Sequence, residues 1–235
     1  MRVEPHTVGS LMHVVKRGAR GGCIVRQKED RDWFVRALYY LNDSHTPNHW
    51  RNEVMHTCGF RRPSYWPERE PLVRVLAWTL LSNHFHLLVE ELVPGGIGKY
   101  MQRLGGSMSA YHNAKYGDRG SLFQGGYRGK LVSDDRHLRY LAFYILVKNT
   151  LEMYPGGLAK ARVDFDSAWD WATRYDFSSL RDLFSEARPI TETHASFISE
   201  ISQDAGTFKN EARELLKFHM EKRQADLDAL ALEPW

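Results

Sequence analysis

Two patterns in this chain are of kinds that chemistry uses. In Asn83-His84-Phe85-His86-Leu87-Leu88-Val89, two histidines flank one hydrophobe inside an apolar run. Side chains alternate faces along a β-strand, so both imidazoles point one way and Phe85 the other, with their Cα atoms about 6.5–7 Å apart. Neutral imidazoles at that spacing can converge on one ion such as Mn or Zn, whereas Mg prefers oxygen donors. The same pair is also what two buried or surface histidines look like. It gains weight only if a third polar group and a reactive residue arrive from another element. Asn83 suits the turn better than the metal.

The second pattern is Tyr140, Tyr144 and Lys148, four residues apart on a helix that starts at Asp134 and so on one helical face. A phenol is a weak nucleophile at its ordinary pKa near 10. Phosphoryl transfer, however, depends mainly on positioning and charge stabilisation, which a polarising metal and a nearby lysine supply. Attack on a phosphodiester would leave a covalent phosphotyrosine and a free hydroxyl, conserving the bond for rejoining. Tyrosines on an apolar helix also pack ordinary cores, so this pattern depends on the histidine pair.

The elements that must position these residues are legible from periodicity. Leu11 to Lys16 reads as a strand that ends in a glycine-rich turn. Between about Glu29 and Leu41, Trp33, Phe34, Ala37, Leu38 and Leu41 recur at helical spacing. Leu72 to Leu81 and His84 to Val89 are apolar runs around a short turn, which predicts an antiparallel hairpin. A helix follows from about Ile97 to Lys115, then a basic glycine-rich loop from Gly117 to Gly126, and a strand from Tyr127 to Val132. The helix capped by Asp134 and Asp135 runs to about Met153. The stretch Asp43 to Pro71 has no periodicity and reads as an insertion. Beyond Pro155-Gly156-Gly157 the pattern predicts an irregular segment over Asp164 to Tyr175, helices near Leu180 to Ala187 and Asn210 to Leu230, and an exposed or partner-binding final helix.

Composition narrows the class. The 235 residues, 43% hydrophobic and 26% charged, suit one globular core with an extension, and no apolar run reaches the roughly 18 residues of a membrane span. No secretory signal is readable at the start, and Cys23 and Cys58 form neither a CxxC pair nor a disulfide framework. The expectation is a cytoplasmic protein that holds any metal through other ligands. Charge is uneven. From Lys99 to Arg139 there are eight Lys and Arg against three Asp, a local excess of five, larger than the +3 of the whole chain. Tyr111, Tyr116, Phe123 and Tyr127 are interleaved with these cations, as a surface for phosphates and unpaired bases requires. A solvated basic face with core aromatics fits that stretch equally well.

Taken in order, these elements resemble the HUH-type single-tyrosine transposases, most closely the REP-associated tyrosine transposases. The matching stretches are His13-Val14-Val15-Lys16-Arg17-Gly18, Asn83 to Val89, Tyr111 to Gly117, Leu122 to Arg128, Asp134 to Leu138 and Tyr144-Ile145, with Asn149 close behind. The resemblance, which covers about residues 11–155, implies an α+β fold with a ferredoxin-like core over 1–155, an antiparallel sheet with helices packed on it. The mainly helical C-terminal extension over 156–235 comes from the periodicity alone and has no role that the resemblance assigns. The resemblance also implies Mg2+- or Mn2+-dependent cleavage and transfer of single-stranded DNA near hairpins, through a 5′-phosphotyrosine, by a monomer or homodimer. By position, His84 and His86 become metal ligands and Tyr144 the nucleophile, with Tyr140 as fallback. Lys16, Arg17, Lys115, Arg119, Gln124, Tyr127, Arg128 and Lys130 become the DNA-binding residues.

The chain departs from that pattern after the tyrosine. The family has Asn or Gln four residues on, as third metal ligand. Here Lys148 stands in that place and Asn149 comes one residue late. A π-bulge would absorb the extra residue and bring Asn149 onto the site. Without one, Lys148 would face the site and serve phosphate rather than metal. Phe143 replaces the family's arginine before the tyrosine. The Lys148 departure motivates a second reading, a catalytically silent hairpin-binding or regulatory protein of the same fold. A third, an unrelated small-molecule metallohydrolase, would need an acidic base such as Glu90 or Glu91 near the histidines.

Overall fold

The computed structural model describes residues 3–57, 59–191, 197 and 201–221. Four strands, β1 (Leu11–Arg17), β2 (Val73–Leu80), β3 (His84–Glu91) and β4 (Arg128–Leu131), form one antiparallel sheet in the order β2-β3-β1-β4. With α1 (Lys28–Tyr40) between β1 and β2, and α3 (Gly96–Tyr116) between β3 and β4, the connectivity is βαββαβ. This is the ferredoxin-like α+β arrangement that the resemblance implies. It puts β1 and β3 in the centre, where both faces of each strand can be covered. A short helix α2 (Trp50–Val54) lies within the 43–71 insertion.

Alternation along the strands divides the molecule into two cores. Met12, Val14, Phe85, Leu87 and Val89 face α1 and α3, and the Phe34 ring of α1 meets Phe85 at 4.9 Å. The other face is covered by α4 (Asp135–Phe143), a π-helical turn over Tyr144–Lys148 and α5 (Asn149–Glu152), with Ala77 and Leu88 beneath them. A register shift between Val75 and Ala77 changes the phase of β2. It keeps Val75, Trp78 and Leu80 on the first core while turning Ala77 to the second. Helix α3 ends at Gly117, whose φ of 69° is the left-handed geometry that lets its N–H return to the Asn113 carbonyl.

The C-terminal extension contributes α6 (Gly157–Val163), α7 (Phe165–Ala172), α8 (Leu180–Phe184) and α9 (Ala205–Glu221). Two expectations are corrected here. The segment Asp164 to Tyr175 is not irregular, because Asp164 caps α7 by accepting from the Ser167 N–H, and Phe165, Ala168, Trp169 and Ala172 present one buried stripe. Nor is the last described helix a solvated one. Phe208, Ala212 and Leu216, four residues apart, pack into the second core. Residues 222–230 of the expected final helix, and Cys58, lie outside the described residues. The chain over 177–191 covers the outer edge of β2, with bridges Thr79 to Ser178 and Val75 to Thr191. Among the described residues, no helix is long and apolar enough to cross a membrane.

Candidate active site

His84 and His86 begin β3, 8% and 0% exposed. Register decides what shares their face. His86 pairs with Val15 of β1 and His84 with Arg17, while β4 sets Lys130 opposite His13 and Arg128 opposite Val15. Cross-strand partners point to the same side of a sheet. His13, Arg17, His84, His86, Arg128 and Lys130 therefore share one face.

His13, which sequence reasoning left without a role, is the most intimate neighbour of the pair. Its Nε2 lies 2.9 Å from His86 Nδ1, and the two rings stack with centroids 5.1 Å apart. It is wholly buried. The signal was present, since His13 sits in the middle of a predicted strand, but only the β1–β3 register brings it to His86. On the other side, His84 Nδ1 meets the Asn83 side-chain oxygen at 2.6 Å. Asn83 Nδ2 also donates to the Gly21 carbonyl, so this residue ties the turn to the ring, in keeping with a role outside the metal's ligands. Each histidine is thus held by a hydrogen bond at Nδ1, which directs ligation to Nε2.

The tyrosine helix lies across this face. Tyr144 places its ring edge-on to His86, centroids 5.6 Å apart, and 6.3 Å from His13. Lys148 Nζ sits 3.4 Å from the Tyr144 hydroxyl and 4.6 Å from its ring centre, and is ion-paired to Glu152 at 2.5 Å. The Tyr140 ring lies 6.0 Å from Tyr144, one turn earlier. The π turn begins at Tyr144, and the Asn149 N–H closes it on the Tyr144 carbonyl. One extra residue is accommodated, so Lys148 and Asn149 both follow Tyr144 by a single turn. Asn149 is 0% exposed, and among the described residues neither atom of its side-chain amide has a hydrogen-bond partner.

Among the described residues, no group of three or more His, Cys, Asp or Glu could hold a metal ion. A metal at this face would have to complete the two imidazoles with other donors, an amide oxygen among them. Imidazole nitrogens from His84 and His86 with the amide oxygen of Asn149 would suit a borderline divalent ion, and the Asn149 amide is buried with neither atom hydrogen-bonded among the described residues. Glu90, which the hydrolase reading needs, is instead ion-paired to Arg74.

The expected DNA-binding residues separate. Arg17, Arg128 and Lys130 lie on the histidine face, and Arg119 and Gln124 are exposed on the loop beyond α3. Lys16 points to the opposite face. It is buried with Nζ on the Gly125 carbonyl at 2.9 Å and its stem against Gly105. Tyr127 is on that side too, its hydroxyl near Gly98 of α3. The Lys115 ammonium is taken by buried Asp30 at 2.6 Å.

Tyr144 is 0% exposed. Helix α9 covers it, the His219 ring lying 6.2 Å from the phenol ring. A cavity of about 810 Å³ runs alongside, between Asp134–Tyr140 of α4 and Leu215–His219 of α9.

No protein-family model matches the chain, and no curated protein matches it. The structure is similar to one described as a REP-associated tyrosine transposase bound to a REP hairpin. The TM-score is 0.47 and the identity 12%, over 81% of this chain and 88% of the other. So distant a likeness carries no argument about the site.

Proposed function

We propose that this protein is a metal-dependent endonuclease and strand-transferase for single-stranded DNA near hairpins, with Tyr144 as the nucleophile. The observation that carries this reading is the Tyr144 ring set against His86, with the Lys148 ammonium 3.4 Å from its hydroxyl. His84, His86 and Asn149 would hold a Mg2+ or Mn2+ ion, of which Mn2+ matches the imidazoles better. Such an ion, when bound, polarises a phosphate oxygen and offsets charge in the transition state.

The chain's own residues account for the rest. Arg17, Arg128 and Lys130, on the face of the histidines, neutralise the strand's phosphates. The Tyr144 oxygen bonds to phosphorus as the bond from phosphorus to the 3′ oxygen breaks. The phenol proton passes overall to that oxygen, leaving a 5′-phosphotyrosine and a free 3′-hydroxyl. Lys148 sets positive charge where negative charge develops. His13 holds His86 by its Nδ1, which makes it a positioning residue. Because Tyr144 is wholly buried beneath α9, attack requires His219 to withdraw.

That burial also favours a second reading, in which the same face binds a hairpin without cutting it. Purified protein incubated with labelled hairpin-bearing single-stranded DNA and Mn2+ separates the two. A covalent adduct that survives denaturation, and that Tyr144→Phe reduces to background, is the expected result. Hairpin binding with no adduct under any divalent ion would establish the silent reader.

A further inference from the structure

We infer that the outer surface of α1 and α3, where the 43–71 insertion docks, is a binding pocket for a single unpaired nucleotide, with the base on aromatic rings and the phosphate on two arginines. The pocket lies on the side of the sheet away from the histidines and has no part in the tyrosine chemistry.

Its platform is a run of stacked rings. Trp33 of α1 stacks on Tyr111 of α3 with centroids 4.9 Å apart and planes 8° from parallel, and on Trp50 of α2 at 5.0 Å. Trp50 is buried, whereas Trp33 and Tyr111 keep part of their surface open. Trp33, Trp50 and Tyr111 line a cavity of about 350 Å³, the scale of one small ligand in a binding cleft. The helix face below it carries Gly106, Ser107 and Ala110, small residues that leave the space unfilled.

Charge selects the occupant. Arg51 is exposed, its guanidinium 5.2 Å from the Trp33 ring and 5.8 Å from Tyr111. Arg103 lines the same cavity and donates to the Asp43 backbone carbonyl. Neither forms an ion pair with a carboxylate among the described residues, so two positive charges flank an aromatic platform with no internal counter-charge. A planar, polarisable group joined to an anion satisfies both at once. Stacking of an unpaired base on aromatic and guanidinium planes, with its phosphate on arginine, is that combination. A proline-rich peptide would use the rings alone and leave both charges unanswered.

The full chain, labelled at its indole nitrogens, is titrated with dAMP at millimolar concentrations, and the Trp33 and Trp50 signals are identified by Trp33→Phe and Trp50→Phe. Both signals should shift saturably with dAMP, and a 5′-phosphorylated abasic deoxyribose should bind on the order of tenfold more weakly. Arg51→Ala should weaken dAMP by a similar factor. Should that variant not fold, Arg51→Lys keeps the charge but loses the flat guanidinium, and is expected to fall between. No shift with dAMP would overturn the inference. So would equal affinity for the abasic phosphate, which marks an anion site only, or a proline-rich peptide that moves the two signals when dAMP does not. The readout is binding of free nucleotide, so its failure leaves the Tyr144 reading untouched, and the reverse holds.

Discussion

At the start of α1, the buried Asp30 carboxylate accepts four hydrogen bonds, from Lys115 Nζ at 2.6 Å, the Tyr116 hydroxyl at 2.7 Å, and the backbone N–H groups of Arg26 and Gln27 at 2.7 and 2.9 Å. Across the sheet, at the start of α5, Asn149 is as deeply buried, and among the described residues its side-chain amide has no partner. Both clusters take ionisable and amide groups out of water, and each group left unmatched costs about 1–3 kcal/mol. The first cluster meets that demand internally, clamping the N-terminus of α1 to the C-terminus of α3. The second leaves the Asn149 amide unmatched, one helical turn after Tyr144. Saturation marks the first as scaffold, and if the second is the metal site proposed above, its amide is the group that an ion would satisfy.

The contrast breaks first at His13. If that ring positions His86, His13→Ala should weaken Mn2+ binding, followed by calorimetry, about 10- to 100-fold. His13→Gln, which can still meet His86 Nδ1, should recover part of the loss. Asp30→Asn should leave Mn2+ affinity at the wild-type value. Equal losses in the two variants would mean that His13 acts only through general stability.

Asp30→Asn should instead cost stability. Burial pushes this carboxyl up, but hydrogen bonds from Lys115, Tyr116 and the Arg26 and Gln27 amides outweigh it and hold the pKa at about 2. From the ordinary 3.8, that difference corresponds to about 2 kcal/mol, or about 4–8 °C in thermal midpoint for a chain of this size. The sign follows from a folded pKa below the unfolded one. The contribution is complete above about pH 4 and drains away as pH falls toward about 2. Acid unfolding of Asp30→Asn should be flatter across that window, and a slope equal to wild type would show that the clamp is not what titrates.

Asn149→Leu reverses the direction. Replacing an unsatisfied buried amide by an apolar group of similar size should raise metal-free stability by about 1 kcal/mol, seen in denaturant unfolding. The same variant should lose the rise in thermal midpoint that Mn2+ is expected to give the wild type if the proposed site binds it. A variant that is destabilised without metal and still stabilised by Mn2+ would remove Asn149 from the ligand set.

Local chemistry made much of this protein readable from one sequence. Apolar runs bounded by turn signals marked the four strands, helical spacing marked α1, α3 and the tyrosine helix, and HxH on a strand necessarily sends two imidazoles one way. Set against the family pattern, the one-residue delay of Asn149 implied either a π turn or Lys148 in its place, and the structure has the π turn over Tyr144–Lys148. Asp164 to Tyr175 was also a legible helix, with its cap and apolar stripe, obscured by the polar residues between.

What remained was set by groups far apart in the chain. His13 reaches His86 only through strand register, 73 residues away. Lys115 and Asp30, 85 residues apart, neutralise each other because two helix ends meet, which removes a cation from the surface that composition had suggested. The burial of Tyr144 beneath His219, and the stack of Trp33 on Tyr111, likewise belong to packing. Backbone periodicity is a property of neighbours along the chain, so sequence carries it. Which charge is answered, and which ring is covered, depends on surfaces that meet only after folding, and there the tertiary structure alone decides.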